Sequence, residues 1–250
     1  MNLVAGDDTG LVRLSDLDHR RFGIVTARAA LVRAHDVPRV LDFCRAHRVE
    51  LLVARCDAND FAGAHALEGC GGRLMDALVY FARDLERTPI PDEPACAIRT
   101  AGPEDATSVS HVAAEGFRGY GGHYHADPRL DRAACDEAYA DWARRSCLDL
   151  AVAEAVLVAE LGGELAGFLT LRRNGPAEAE IVLNAVLPAH QRGGVYRRLM
   201  LAALRWSRER GVSRVIVSTQ LTNVAVQKAW VRLGFEPSRS YYTFHVWRDP

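Results

Sequence analysis

The chain has 250 residues, 49% of them hydrophobic and 25% charged, an ordinary globular composition sufficient for one large domain or two small ones. A formal net charge of −1 argues against nucleic acid or an anionic membrane as a bulk partner, because both select for excess positive charge. No apolar run approaches the ~20 residues needed to cross a bilayer.

The opening MNLVAGDDTG places acids where an export signal would carry basic residues, so a cytoplasmic location is expected. Cys44, Cys56, Cys70, Cys96, Cys135 and Cys147 are scattered without C-x-x-C spacing and read as reduced, mostly buried thiols. Lys228 is the only lysine, which suggests a coding bias towards arginine and not a basic patch. A helix is predicted over 37–48, a strand over 50–55, a helix over 60–69 and a strand over 74–81. The seam Thr88-Pro-Ile-Pro-Asp-Glu-Pro94 cannot continue a helix or a central strand. It predicts two domains, residues 1–90 and 95–250.

After the seam, a short strand over 95–100 runs into a helix from Pro103 to Phe117, whose first turn suits Pro103, Glu104 and Asp105. A glycine-rich loop, 118–128, precedes an amphipathic helix over 131–146. Strands follow at 154–160, 164–173 and 178–187, turned at Gly162-Gly163 and Asn174-Gly175. A helix over 195–210, a strand over 213–219, a helix over 223–233 and a last strand over 238–247 complete a mixed α/β sheet. Shifting the first part by 163 residues superposes its helix–strand–helix–strand pattern on the tail of the second, with Gly71 on Gly234. Residue identity between the two is poor, so the repeat rests on pattern and spacing.

The stretch Val182 to Leu199 carries the chemistry. An apolar strand ends at Leu187-Pro188, Gln191 opens a tight turn with Arg192, Gly193 and Gly194, and a helix starts at Val195 or Tyr196. Glycines let successive N–H groups face one concavity and a helix start adds partial positive charge, which suits a pyrophosphate. The plainer reading is a strand–turn–helix connection with surface arginines.

Q-x-x-G at Gln191 and Gly194, followed by a helix, a strand, Asn223 and Gly234-Phe235, resembles the GNAT superfamily of N-acetyltransferases. Its motif is Q/R-x-x-G-x-G/A, and Tyr196 stands here where Gly or Ala is usual. The resemblance covers residues 95–250. His123-Tyr-His-Ala-Asp-Pro128, Tyr139-Ala-Asp-Trp142, Thr219-Gln220 and the aromatic strand Tyr241 to Trp247 narrow it to the WecD type, the dTDP-4-amino-4,6-dideoxygalactose (dTDP-fucosamine) acetyltransferases. The fold implied is a GNAT acetyltransferase fold, an α/β (α+β) mixed sheet, with an N-terminal degenerate half-GNAT domain.

The resemblance implies acetyl-CoA (coenzyme A) as cofactor and direct transfer to the amine of a small molecule, foremost a nucleotide-linked amino sugar. The turn Gln191, Arg192, Gly193, Gly194, Val195 and Tyr196 would hold the pyrophosphate, and the edge Ala185, Val186 and Leu187 the pantetheine arm. The backbone N–H of Asn184 would polarise the thioester carbonyl. Asn223 would contact the arm or phosphate, or serve as a helix N-cap. The amine would be deprotonated or oriented by Asp76, which otherwise reads as an edge-strand charge. His123 and His125 border the acceptor, and a histidine could also take the proton. Their H-x-H spacing is a weak metal signal, and no metal is expected. Trp230 stands where the family's acid is a tyrosine, so it packs against the thioester, another tyrosine (Tyr196, Tyr241 or Tyr242) or water supplies the proton, or catalysis is lost. Arg118 and Arg129 would meet substrate phosphates. The alternatives are another small amine or a protein N-terminus as acceptor, or a non-catalytic acyl-CoA-binding protein; a homodimer is left open.

Overall fold

Near-continuous buried runs such as Leu51–Cys56, Ala155–Ala159 and Ala166–Leu171 build the central strands, as expected of a sheet covered on both faces, and a computed structural model, which describes residues 10–92 and 98–248, shows how they assemble. The order is β1 (Val12–Leu14), α1 (Asp16–Phe22), β2 (Thr26–Ala29), α2 (Val37–Ala46), β3 (Leu51–Asp57), α3 (Phe61–Gly69), β4 (Arg73–Asp84) and β5 (Ile98–Thr100). It continues with α4 (Ala106–Gly116), α5 (Arg132–Leu148), β6 (Ala155–Leu161), β7 (Glu164–Arg173), β8 (Glu178–Val186), α6 (Val195–Glu209), β9 (Arg214–Gln220), α7 (Val224–Arg232) and β10 (Glu236–Trp247). The elements from α2 onward lie within a few residues of their predicted positions. The segment β1–α1–β2 is new. Its pieces are short, and α1 is held by Ser15 at its N-cap and left-handed Gly23 at its end, not by an apolar stripe. The N-terminal decapeptide up to residue 9, Cys96 and the first residues of the predicted strand 95–100 lie outside the described residues. The other five cysteines are free.

The described residues form one ten-stranded sheet in the order β1-β2-β3-β10-β4-β9-β8-β7-β6-β5. Among the described residues, only β2–β3 and β8–β9 pair in parallel. The 163-residue offset reappears in the pairing itself. Leu78 opposes Gln220 as Tyr241 opposes Asp57, and Asp84 opposes Arg214 as Trp247 opposes Leu51. Even the two irregularities in the β4–β10 ladder, at Ser238 and at Met75, are 163 residues apart. A pseudo-twofold axis therefore passes between β4 and β10, and the two halves exchange their last strands. The residues of β4 consequently enter the C-terminal half's sheet beside β9.

Helices cover both faces. The apolar positions of α6, among them Leu199, Met200, Ala203 and Leu204, pack with Phe81, Val217 and Trp230 on one face. On the other, α4 and α5 cover Val158, Phe168, Leu183 and Ala185. The proline-rich seam is clamped by buried Arg83, which donates to the carbonyls of Pro89 (2.8 Å), Thr88 (3.3 Å) and Leu233. Among the described residues, no helix is long and apolar enough to cross a membrane.

Candidate active site

The site begins with a break in the sheet. β8 and β9 pair only from Glu178–Arg214 to Ile181–Val217 and then part. At that point β8 carries a bulge opposite Thr170, and the freed Leu183 N–H donates to Thr170 Oγ1 at 3.0 Å. The bulge reverses the strand's faces: Ile181 packs in the α6 core, whereas Leu183 and Ala185 pack under α4 and α5. Further on, the Leu187 N–H donates to the Ala166 carbonyl at 2.9 Å. Strand alternation then turns the N–H and C=O groups of Asn184 and Val186 toward the gap left by β9. This corrects the expected edge. Asn184 turns its open backbone groups and Val186 its N–H toward the gap, while the Val186 carbonyl accepts from Gln191; Ala185 lines the cavity, and Leu187 is tied to β7 and does not line it. Thr170→Val is expected to cost about 1–3 kcal/mol in urea unfolding, because the Leu183 N–H would be buried without a partner.

The turn after β8 closes one end of the gap. Gln191 Nε2 donates to the Val186 carbonyl at 3.3 Å. Arg192 and Gly194 both adopt left-handed backbone, with φ of 65° and 78°. α6 starts at Val195 with no side-chain cap, so its first amides are left for a ligand. Gln191, Arg192, Gly194 and Tyr196 line the cavity; Val195 is buried in the α6 core and the Gly193 carbonyl accepts from Arg198 Nη2 at 3.2 Å.

The cavity is about 850 Å³ and runs from this turn to a wall built by β4, β3 and the α4–α5 loop. Asn223 and Trp230 line its middle. Asn223 occupies the N-cap position of α7 without making a capping bond, and its amide instead donates to Thr219 Oγ1 at 3.0 Å. The buried Trp230 indole donates to the Tyr196 hydroxyl at 2.7 Å. The two residues that depart from the usual motif are thus in direct contact. The tyrosine accepts that bond and keeps its own proton to donate, and burial raises its pKa above the ordinary value.

The far wall carries Asp76, Leu78 and Tyr80, successive same-face residues of β4. Both carboxylate oxygens of Asp76 are buried with no hydrogen-bond partner. Tyr120 and Tyr139 flank this end, and burial pushes the Tyr120 hydroxyl up to about 12. His123 lines the cavity and is buried. His125 does not line it: its Nε2 contacts Asp136 Oδ1 of α5 at 2.9 Å, which makes it a brace between loop and helix. Arg118 and Arg129 also stay outside, pairing with Glu115 and stacking on Trp247 respectively. Arg21, Arg55 and Arg145 line the cavity instead. Among the described residues, no group of three or more His, Cys, Asp or Glu is placed to hold a metal ion.

The loop behind His123 is anchored by a buried triad. Arg28 Nε donates to Asp18 Oδ2 at 2.6 Å, the Tyr124 hydroxyl donates to Asp18 Oδ1 at 2.6 Å, and Arg28 also reaches the Tyr124 oxygen. Burial alone would raise the Asp18 pKa, but the Arg28 charge and the hydrogen bonds bring it down to about 2.

Residues 121–235, which include the turn, Asn223 and Trp230, match the family model described as the acetyltransferase (GNAT) family. This segment is a GNAT acetyltransferase domain. The spore coat polysaccharide biosynthesis protein SpsD of Bacillus subtilis (strain 168) is 25% identical over 205 residues, spanning 79% of this chain and 67% of that protein. A tandem GNAT protein from the clavulanic acid biosynthesis pathway superposes with a TM-score of 0.62 at 21% identity, over 90% of this chain and 76% of its own. A GCN5-related N-acetyltransferase from Sphaerobacter thermophilus gives 0.63 at 14% identity, over 96% and 76%. These likenesses establish the GNAT fold for the chain, whose described strands form one sheet.

The wall of the GNAT domain's cavity includes residues that sequence reasoning did not single out, among them Arg21, Arg55 and Tyr120. One signal was available. Tyr241, Thr243 and His245 alternate along an otherwise apolar strand and all three are buried, a pattern that needs polar partners on that face.

Proposed function

We propose that this chain transfers an acetyl group from acetyl-CoA to the amine of a nucleotide-linked amino sugar. The observation that carries the reading is the open edge of Asn184 and Val186, which leads from an uncapped helix start to a partnerless carboxylate at the opposite wall. The residues fit the cofactor. The α6 amides with Arg192 suit a pyrophosphate, and the Asn184 backbone groups with the Val186 N–H suit an amide-bearing arm laid alongside as an added strand. Bound there, acetyl-CoA supplies an activated thioester. The Asn184 N–H is the donor for a carbonyl oxygen, Asp76 orients the acceptor's ammonium, and the Tyr196 hydroxyl, held by Trp230, is the donor nearest in kind to the missing tyrosine acid. Arg21, Arg55 and Arg145 meet the acceptor's phosphates. The name of SpsD, a polysaccharide biosynthesis protein, supports a sugar acceptor. The sequence seam supports residues 1–90 and 95–250 as the two domains, with the first supplying Asp76 to the second's chemistry.

Thiol release from acetyl-CoA with dTDP-linked 3-amino and 4-amino sugars tests this directly. Saturable release with at least one sugar nucleotide, and none with the matching hydroxyl sugar, is expected. Coenzyme binding without release on any amine would replace this reading with that of an acyl-CoA-binding protein.

A further inference from the structure

We propose that His123 is the general base of the reaction, with His245 and Asp127 as positioning residues behind it. This rests on the acetyl-transfer reading. The argument is geometric and starts from the buried end. Asp127 Oδ2 faces His245 Nδ1 at 2.6 Å and accepts from Trp247 Nε1 at 2.8 Å, while Asp127 Oδ1 accepts from the Arg129 N–H at 3.0 Å. Three donors converge on this carboxylate, and although burial opposes it, the bonds from His245, Arg129 and Trp247 hold its pKa below the ordinary value. An ionised Asp127 fixes the proton of His245 on Nδ1.

Neutral His245 then has a bare Nε2, which lies 2.8 Å from His123 Nδ1. Two ring nitrogens at that distance need one proton between them, so His123 carries its proton on Nδ1 and its lone pair on Nε2. That nitrogen has no hydrogen-bond partner among the described residues, and His123 is one of the residues lining the cavity. The charged and titratable groups around it are His245 on β10, Arg28 on β2, Arg55 on β3 and Tyr124 beside it in the loop. Burial, then His245, Arg28 and Arg55, hold His123 neutral at rest, which is the form a base requires.

His123 and Asp76 share one wall. Asp76 opposes Thr243 across the β4–β10 ladder, and His245 is two residues farther along the same face of β10. Asp76 therefore holds the ammonium as a counter-ion while His123 Nε2 takes one of its protons. The freed amine lone pair forms the N–C bond as the C–S bond breaks with its electron pair on sulfur, and the second proton from nitrogen ends on that sulfur. The charge gained by His123 passes on when its Nδ1 proton moves to His245 Nε2, leaving an imidazolium against Asp127. The first proton is returned to solvent as the relay resets.

The test has two arms. Imidazole nitrogen NMR of the wild-type chain reads the tautomers without turnover, and Nδ1–H is expected on both His123 and His245. His123→Asn is expected to lower kcat on the dTDP-linked amino sugars by at least ~100-fold with acetyl-CoA affinity within about twofold of wild type. The acid limb of the wild-type kcat profile should disappear in this variant. His245→Asn should lower kcat by about tenfold and move that limb, which a purely structural role would not do. His123 protonated on Nε2 and bare on Nδ1, or His123→Asn turning over at the wild-type rate, overturns the assignment. A wild-type chain that acetylates no amine instead defeats the functional reading, and the assignment with it.

Discussion

Asp76→Asn is expected to lower turnover well over tenfold, to leave acetyl-CoA affinity within about twofold, and to leave the melting temperature unchanged or raised. Both Asp76 oxygens are buried and have no protein partner, so the folded protein alone gains nothing from the charge. An ammonium at ~4 Å from a carboxylate gains about 4 kcal/mol at an effective dielectric of 20, and 1.36 kcal/mol is already a factor of ten. Asparagine keeps the size and removes the charge. Loss of activity together with retained or increased stability marks a residue kept for its ligand. Steady-state kinetics, calorimetry and a thermal melt on one preparation measure all three quantities. Wild-type turnover in the variant would remove Asp76 from the mechanism.

The largest loss of stability is expected from Asp18→Asn, at about 3–5 kcal/mol, because it strands the Arg28 guanidinium in the interior. Arg28 is 3% exposed and Asp18 fully buried. The same change loosens Tyr124, whose neighbour is His123, so activity should fall even where the chain remains folded. The pH dependence follows from the sign of the shift. Asp18 is held below its ordinary 3.8, at about 2, so its contribution is fully present above pH ~4 and is lost as pH falls toward 2. Asp105, Asp127 and Asp141 are depressed as well, so their contributions also weaken as pH falls through their lowered folded-state values. Urea unfolding between pH 7 and pH 2 should therefore give a shallower acid decline in Asp18→Asn than in wild type.

The turn at Gln191–Tyr196 is legible in the sequence because it is local: a proline, two glycines and an apolar helix start suffice to read it. Asp76 is legible because an aspartate inside an apolar strand needs a reason. The 163-residue repeat is legible as a pattern of element lengths, whereas the exchange of β4 and β10 is not, because periodicity says which face a strand buries and not which neighbour it takes. The same limit hides the partnership of His123 with His245, which are 122 residues apart in the chain. It also explains the arginines: Arg118 and Arg129 lie near His123 in sequence but stay outside the cavity, whereas Arg21 and Arg55 line it from a helix and a strand of the other half. The assignment of the β8 edge failed at Leu187 because the bulge at Thr170 reverses the strand's faces without leaving a glycine to announce it. β1, α1 and β2 escaped notice because three to seven residues are too few to show a period.

Titrating acetyl-CoA into the full chain by calorimetry is the most direct check on the open edge and the uncapped turn as a coenzyme site. One saturable site with a dissociation constant of about micromolar order, competed by free CoA, is the result expected. Absence of any saturable heat up to millimolar coenzyme would mean that the Tyr196 ring closes the groove, and the function built on it would fall.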